Sequence, residues 1–459
     1  MTRFLQSGLR FRQAGVALWR QPEFQLQALL VLALLFGGGG SAYGINNLMV
    51  QLAALLVLAL HPERVMDFLR DAPRFFVVLC GLTVALPLAQ LVPLPPSLWG
   101  RLPGRDLLSE SLGLINRSDA WYSISLAPSR TLIAFFSLIP MFAVFVLSWR
   151  FDRSEWERVL YTLVLLGLAA MALGGVQMLG GNRVLLLYRE HVHAGYLYGT
   201  FANHNSAGLF FVLAITGLLG LIGGGMARAR RHGGRWFQPW VRVGVAVLLA
   251  VAVVLTQSRS SIGVLLMVIM VAAFGYLYRM DVSRTRKMTF LVLGVLVAAG
   301  ALIGLQAGTR FGSSFDRFER LDDVRPAIWE DTITSAERFW PVGSGISTFP
   351  EVFEVDETLE HVWAFHAGRA HNDYLEIAQE GGVVGVILIV AWLVWIAWAG
   401  LRAWQGERRW QGVAAVSGLA VIGMQSSIDY PLRNQAILCV AASFLSLLVH
   451  AASKKDLNK

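Results

Sequence analysis

The stretch GGVVGVILIVAWLVWIAWAGL at residues 381–401 contains no charged side chain. A helix rises 1.5 Å per residue, so about twenty consecutive apolar residues are needed to cross the hydrocarbon core of a bilayer. This run has that length, and working outward from it the same signal recurs. Further apolar runs lie near 24–42, 45–61, 73–92, 130–149, 158–179, 204–224, 239–257, 260–279, 289–307, 411–427 and 434–451, which makes about twelve transmembrane helices. The first is interrupted by the glycines at 37–40. The predicted fold class is therefore all-α integral membrane. Residues 1–459 read as a single polytopic membrane domain whose helices are joined by short loops. The exception is one long extramembrane insertion near 307–375, a structured loop of 307–380 if carried to the start of the tenth helix.

Composition agrees. Hydrophobic residues make up 55% of the chain and charged residues 15%, with a mean hydropathy of +0.55; an ordinary soluble domain carries about 25% charged residues. The formal charge of +9 does not point to nucleic acid, because the basic residues form no stripe with interleaved aromatics. They are distributed by loop instead. Arg64, Arg70 and Arg74, then Arg150, Arg153 and Arg158, then Arg228 to Arg242, Arg279 to Lys287, Arg402 to Arg409 and finally Lys454 to Lys459 fall on alternate connections. The positive-inside rule then predicts cytoplasmic termini and an external 307–375 loop, periplasmic in a Gram-negative bacterium. Arg3, Arg10, Arg12 and Arg20 precede the first apolar run without a convincing cleavage site, which predicts an uncleaved first helix. Cys80 and Cys439 both sit within apolar runs and fit neither a disulfide nor a metal pattern.

The long loop differs from the rest of the chain, since it holds nearly half of the carboxylates, among them Asp322, Asp323, Glu330, Asp331, Glu351, Glu354 and Glu360. Residues 326–338 show helical spacing, with Ile328, Trp329, Ile333 and Ala336 on one side, and Pro341, Gly343, Gly345 and Pro350 impose turns after it. Structured loops of this length between helices usually serve function.

Four polar clusters interrupt the apolar pattern. Ser258, Arg259 and Ser260 lie between two apolar runs; they form either an anion site or a hairpin with a snorkelling arginine. In TFANHNS at 200–206, Asn203, His204 and Asn205 mark the start of the sixth helix, and Asn205 or Ser206 is a natural cap there. Arg325 precedes Trp329 by one helical turn, suited to a phosphate, a sugar or a surface ion pair with Asp322 or Glu330. RAHNDYLE at 369–376 contains His371, the side chain type suited to proton abstraction near neutral pH, with Asp373 or Glu376 available to orient it. Asn372, Tyr374 and, farther along, Asp429, Tyr430 and Arg433 add to the same polar face. All of these fall at helix ends predicted to lie on one side of the membrane. Two arginines, a histidine and carboxylates facing one cavity suit a pyrophosphate leaving group and an activated hydroxyl. No Walker, Rossmann, H-E-x-x-H or C-x-x-C pattern occurs, and the aspartates form no obvious metal cage, so neither a cofactor nor a metal is expected.

Taken together, Thr-Phe-x-Asn-x-Asn at 200–205, Ser258-Arg259-Ser260, Arg325 before Trp329, Pro341 with Gly343-x-Gly345 and Phe349, and His371-Asn372-x-Tyr374-Leu375 resemble the O-antigen ligase and polymerase superfamily over roughly residues 190–435. The resemblance implies a GT-C-type fold in the bacterial inner membrane. It also implies transfer of a glycan from an undecaprenyl-pyrophosphate carrier to a lipid or glycan acceptor on the periplasmic face. Arg259 and Arg325 then correspond to the pyrophosphate-binding arginines and His371 to the general base. Asn203, His204, Asn205, Ser258, Asn372, Asp373, Tyr374 and Arg433 are the expected substrate contacts. Ligation, repeat-unit polymerisation and protein glycosylation all remain open, because the carboxylate-rich loop and the segment 93–129 depart from the better-known ligases. A lipid-glycan transporter would favour broken helices in an inverted repeat, and a scaffold has no need of converging Arg and His.

Overall fold

The computed structural model describes residues 21–189, 192–221, 239–279, 324–360, 362 and 367–453. The expected helix at 289–307, residues 307–323 with Asp322 and Asp323, Trp363, the N-terminal arginines and the basic stretches 228–235, 284–287 and 454–459 lie outside these. The described chain is helical apart from one two-residue strand pair. In order the helices are α1 (Pro22–Phe36), α2 (Gly44–Leu60), α3 (Pro62–Asp71), α4 (Arg74–Gln90), α5 (Pro96–Trp99), α6 (Asp106–Leu114), α7 (Pro128–Ser137), α8 (Ile139–Ser148), α9 (Arg153–Leu179), α10 (His204–Gly220), α11 (Pro239–Leu255), α12 (Arg259–Arg279), α13 (Arg325–Phe339), α14 (Phe349–Asp356), α15 (Asp373–Trp404), α16 (Arg409–Gln425) and α17 (Gln435–Ala452).

Among the described residues five helical stretches are long and apolar enough to cross a membrane: Pro22–Gly39, Pro128–Ser148, Arg153–Leu179, Asp373–Trp404 and Gln435–Ala452. Helices α4, α10 and α11 are apolar but shorter, as is the stretch Arg259–Gly275 of α12. Seventeen residues of helix span about 26 Å, a little under the hydrocarbon thickness, which is why apolar runs that looked alike in the sequence separate into two classes. Two expected spans carry a break within or just after them. The run at 130–149 divides into α7 and α8 at Leu138, beside Pro140. The run at 45–61 is followed by α3, which turns away by 84°. Helix α3 carries Arg64, Asp67, Arg70 and Asp71 along with apolar residues, and Arg64 donates to the Leu147 carbonyl at 3.1 Å.

Helices α10 and α17 form the centre, buried on nearly every side, with α9, α11 and α16 packed around α10 and α8, α15 and α16 around α17. On α2 the outward side chains are large and apolar, including Ile45, Leu48, Met49, Leu52 and Leu56. That pattern is stable where lipid rather than water surrounds the helix.

The tenth helix begins earlier than expected. It starts at Asp373 and bends at Gly382, whose φ of 56° and ψ of −149° leave the helical region. The carbonyls freed by this bend do not go unpaired. Gly345 N–H donates to Glu380 O at 2.9 Å, Ser344 N–H to Gln379 O at 3.0 Å, and Val383 N–H to Pro341 O at 2.9 Å. A side chain on Gly343 or Gly382 would collide with backbone across this junction, so the segment 341–345 and the bend require each other. The loop 93–127 seals the same junction. Its strands pair antiparallel (Pro93 with Ser123, Leu94 with Tyr122), and fully buried Arg105 donates to Ile124 O at 2.5 Å and Gly343 O at 3.3 Å.

Helix α13 confirms helical spacing at 326–338 but not the expected face. Ile333 is exposed, and the buried side is Asp331, Thr332, Ser335 and Phe339. A polar partner explains the rotation, since Gln379 Nε2 of α15 donates to Ser335 Oγ at 3.0 Å.

Candidate functional site

Polar segments far apart in sequence are stitched together at one end of the bundle. Ser261 Oγ at the start of α12 donates to Asn205 O at the start of α10 (3.2 Å). Gln425 at the end of α16 donates to Ser260 Oγ (2.8 Å). Ser426 Oγ donates to Asp373 Oδ2 and Asp373 N–H to Ser426 O, each at 2.8 Å, which joins α16 to α15. Asn434 Nδ2 and Ala202 N–H both donate to Gly38 O, at 2.9 and 3.1 Å. These bonds bring three of the four clusters together, and the fourth joins them through Trp329, whose Nε1 donates to Ala370 O, although no two are neighbours in the chain.

His371 occupies the left-handed region, φ 49°, immediately before the Asn372 cap of α15. Such a φ is uncommon outside glycine, though histidine tolerates it better than most residues. Trp329 Nε1 of α13 donates to Ala370 O at 2.9 Å and fixes the turn from outside. His371 Nδ1 lies 3.4 Å from Asp429 Oδ1; the imidazole is 30% exposed while the carboxylate is 5% exposed. Burial acts to raise the Asp429 pKa, but contact with His371, the nearby charge of Arg325 and the Tyr430 N–H outweigh it and hold the carboxyl below its usual range. Tyr430 packs edge-on against His371 with centroids 5.0 Å apart. Burial, reinforced by the Asp429 charge, pushes its phenol up to about 12, and its hydroxyl meets the Asn203 side chain. The charges of Asp429 and Arg325 also reach His204.

The carboxylates expected to orient His371 do something else. Glu376 accepts from Arg369 Nη1 (2.7 Å), from Ala370 N–H (3.2 Å) and from Arg433 Nη2 (3.1 Å). Asp373 lies 3.8 Å from Arg433 Nε, and Glu380 takes Arg433 Nη2 at 2.7 Å and the Phe349 N–H at 3.1 Å. These groups are buried, with Glu376 and Glu380 at 0% exposure. Burial opposes the Arg433 charge, but Glu380, Glu376 and Asp373 outweigh it and raise its pKa. Asp429 is thus the carboxylate that approaches His371, and Asp373 and Glu376 belong to a separate ionic network.

The remaining expected site residues are distributed as follows. Arg259 is exposed at the first position of α12 and Arg325 is half-buried at the first position of α13. Ser258 is buried, its Oγ donating to Ser261 Oγ at 2.8 Å. Asn203, rather than Asn205 or Ser206, caps α10 by accepting Asn205 N–H at 2.8 Å. Asn372 caps α15 through the Tyr374 and Leu375 N–H groups, at 3.0 and 3.2 Å. Tyr374 donates to Gly423 O at 2.7 Å. Together Asp373, Tyr374 and Arg433 line a cavity of about 380 Å³ whose other walls are mainly apolar residues of α4, α7, α15, α16 and α17. His371 and Asp429 are not part of its lining. Among the described residues no three His, Cys, Asp or Glu side chains come together as a metal cage.

Sequence reasoning noticed Asp429 only as part of a minor cluster, and left Arg369 and Glu380 unassigned. A signal for Asp429 was present, since it is the only carboxylate between Glu407 and Asp456. A lone acid between two apolar runs needs a partner.

The fold and site define an all-helical membrane protein with a charged, histidine-bearing cluster of helix ends at one end of its bundle. Residues 244–390 match the family model described as O-antigen ligase, so this stretch of the chain is similar to the O-antigen ligase and polymerase superfamily. The matched stretch runs from α11 into α15 and includes Arg259, Arg325 and His371; His204 and Asp429 lie outside it. No curated protein matches the chain.

Proposed function

We propose that the protein transfers a glycan from an undecaprenyl-pyrophosphate carrier to an acceptor hydroxyl at the periplasmic face of the inner membrane, as an O-antigen ligase does, with inversion and without a metal. The observation that carries this reading is the His371–Asp429 contact, with Arg325 acting on the same carboxylate. With Nδ1 turned to Asp429, Nε2 is the nitrogen left to take a proton. His371 Nε2 removes the acceptor hydroxyl proton as that oxygen bonds to the anomeric carbon. The bond from that carbon to the pyrophosphate breaks, and the electron pair leaves with the phosphate. Arg259 and Arg325 hold the departing charge; guanidinium suits this because its forked donors match phosphate oxygens. The N-terminus of α12 beside Arg259 adds the favourable end of the helix dipole. The apolar cavity bounded by Tyr374 and Arg433 suits the hydrocarbon of a lipid substrate.

The test is turnover of an undecaprenyl-pyrophosphate-linked glycan by purified protein, with candidate acceptors, in the presence of chelator. Arg259→Ala and Arg325→Ala should abolish transfer and the Lys variants should restore little; wild-type rates in both Ala variants would remove the proposal. A cysteine placed at exposed Glu354 should react with an impermeant thiol reagent on intact cells, with little background because Cys80 and Cys439 are buried. Labelling only after permeabilisation would reverse the topology.

A further inference from the structure

The connection between α9 and α10 carries a row of aromatic rings that neither the His371–Asp429 contact nor the two arginines use. His193 is exposed and Tyr196 half-exposed, with ring centroids 5.7 Å apart. Tyr196 meets His204 edge-on at 5.1 Å, and buried Tyr198 backs His204 at 6.3 Å. His204 opens α10, and the carbonyl of the next residue, Asn205, accepts from Ser261 Oγ of α12 at 3.2 Å. The row therefore starts at the site and runs outward from it.

The backbone beneath these rings is built to be rigid. Buried Asn182 donates to both His193 O (2.6 Å) and Tyr196 O (2.9 Å). Tyr198 donates no flexibility either, since its hydroxyl accepts the His193 N–H at 3.0 Å. Leu197 N–H donates to Leu255 O at 3.0 Å and Gln257 Nε2 to Gly195 O at 3.1 Å. These last two bonds tie the row to the turn that leads directly into Arg259.

Resting on the proposed function, we propose that His193, Tyr196 and His204 form a platform for the first sugar of the donor glycan, with Tyr196 at its centre. A pyranose with several C–H bonds on one face presents an apolar, slightly positive surface, and an aromatic face is apolar and negative. Rings held on a preordered backbone do not have to be immobilised when the sugar arrives, so more of the contact energy appears as affinity. The ties to Leu255 and Gln257 assign the platform to the donor, because the sugar joined to the pyrophosphate must lie next to the arginine that holds it.

The experiment compares binding of two probes to the full-length protein in nanodiscs: undecaprenyl pyrophosphate, and the same carrier bearing one hexose. Wild type should bind the hexose-bearing carrier about three- to tenfold more tightly than the bare one. Tyr196→Leu should bring that ratio close to one while leaving the bare carrier unchanged, and Tyr196→Phe should keep it. Should Tyr196→Leu fail to fold, His193→Ala at an exposed position should still lower the ratio. Equal loss for both carriers in Tyr196→Leu, or a ratio of one in wild type, overturns the platform and leaves the proposed reaction standing. Failure of wild type to bind either carrier overturns the proposed reaction and the platform together.

Discussion

Two sets of carboxylates surround the start of α15, and they differ in how their charge is answered. Asp373, Glu376 and Glu380 face Arg369 and Arg433 in a buried network that also captures the N–H groups of Ala370 and Phe349. Glu376 and Glu380 there also hold backbone from two parts of the chain. Asp429 faces one imidazole that is still 30% exposed. A carboxylate bound to guanidinium inside protein is committed to its ion pair, and removing either partner leaves the other charge buried and unanswered. A carboxylate against a partly exposed imidazole leaves one ring nitrogen free for proton transfer. The two sets are separated by a single turn, so under the proposed function the same residue types serve support on one side and chemistry on the other.

The largest effect expected from this contrast is on His371. His371→Ala should lower turnover by about 10²–10⁴-fold, the usual worth of general-base assistance, while donor binding and thermal stability stay near wild type. The product should carry the anomeric configuration opposite to the donor's. Full activity, or retained configuration by NMR of the product, would remove the distinction between the two sets.

Glu376→Ala tests the other side. It leaves Arg369 and Arg433 buried with too little counter-charge, and breaking a buried ion pair in this way costs about 3–5 kcal/mol. Thermal unfolding of purified protein should shift down strongly, with Glu376→Gln affected less because it can still accept from Ala370 N–H. A variant that unfolds like wild type but loses turnover would move Glu376 into the chemical set.

Asp429→Asn should have the smallest effect. Loss of the charge that fixes the His371 tautomer should reduce turnover by about ten- to a hundredfold, as for other groups that orient an imidazole. The Asp429 carboxyl is held below its ordinary value in the fold. Its contribution to stability is therefore complete above the unfolded carboxyl pKa, about 3.9, and is lost as pH falls through the lower folded value. The stability gap between wild type and Asp429→Asn should close on acidification through that window; a gap that widens instead would contradict the sign.

The sequence by itself determined the membrane class, the helical character of the chain and most helix positions, because lipid demands long apolar runs and leaves few alternatives. It also marked His371, Arg259 and Arg325, since ionisable residues at helix ends in so apolar a chain stand out. What only the tertiary structure decided was partnership. Asp373 and Glu376 were nearer to His371 in sequence, but the left-handed turn at 371 and the helix that follows aim them at Arg369 and Arg433. Asp429, more than fifty residues later, is brought to the imidazole by the end of α16. The buried face of α13 was likewise set by polar contacts to Gln379 rather than by its own apolar spacing, which is why Ile333 faces outward. Local pattern reports what a segment prefers to bury; which charge meets which depends on how helix ends are folded against one another.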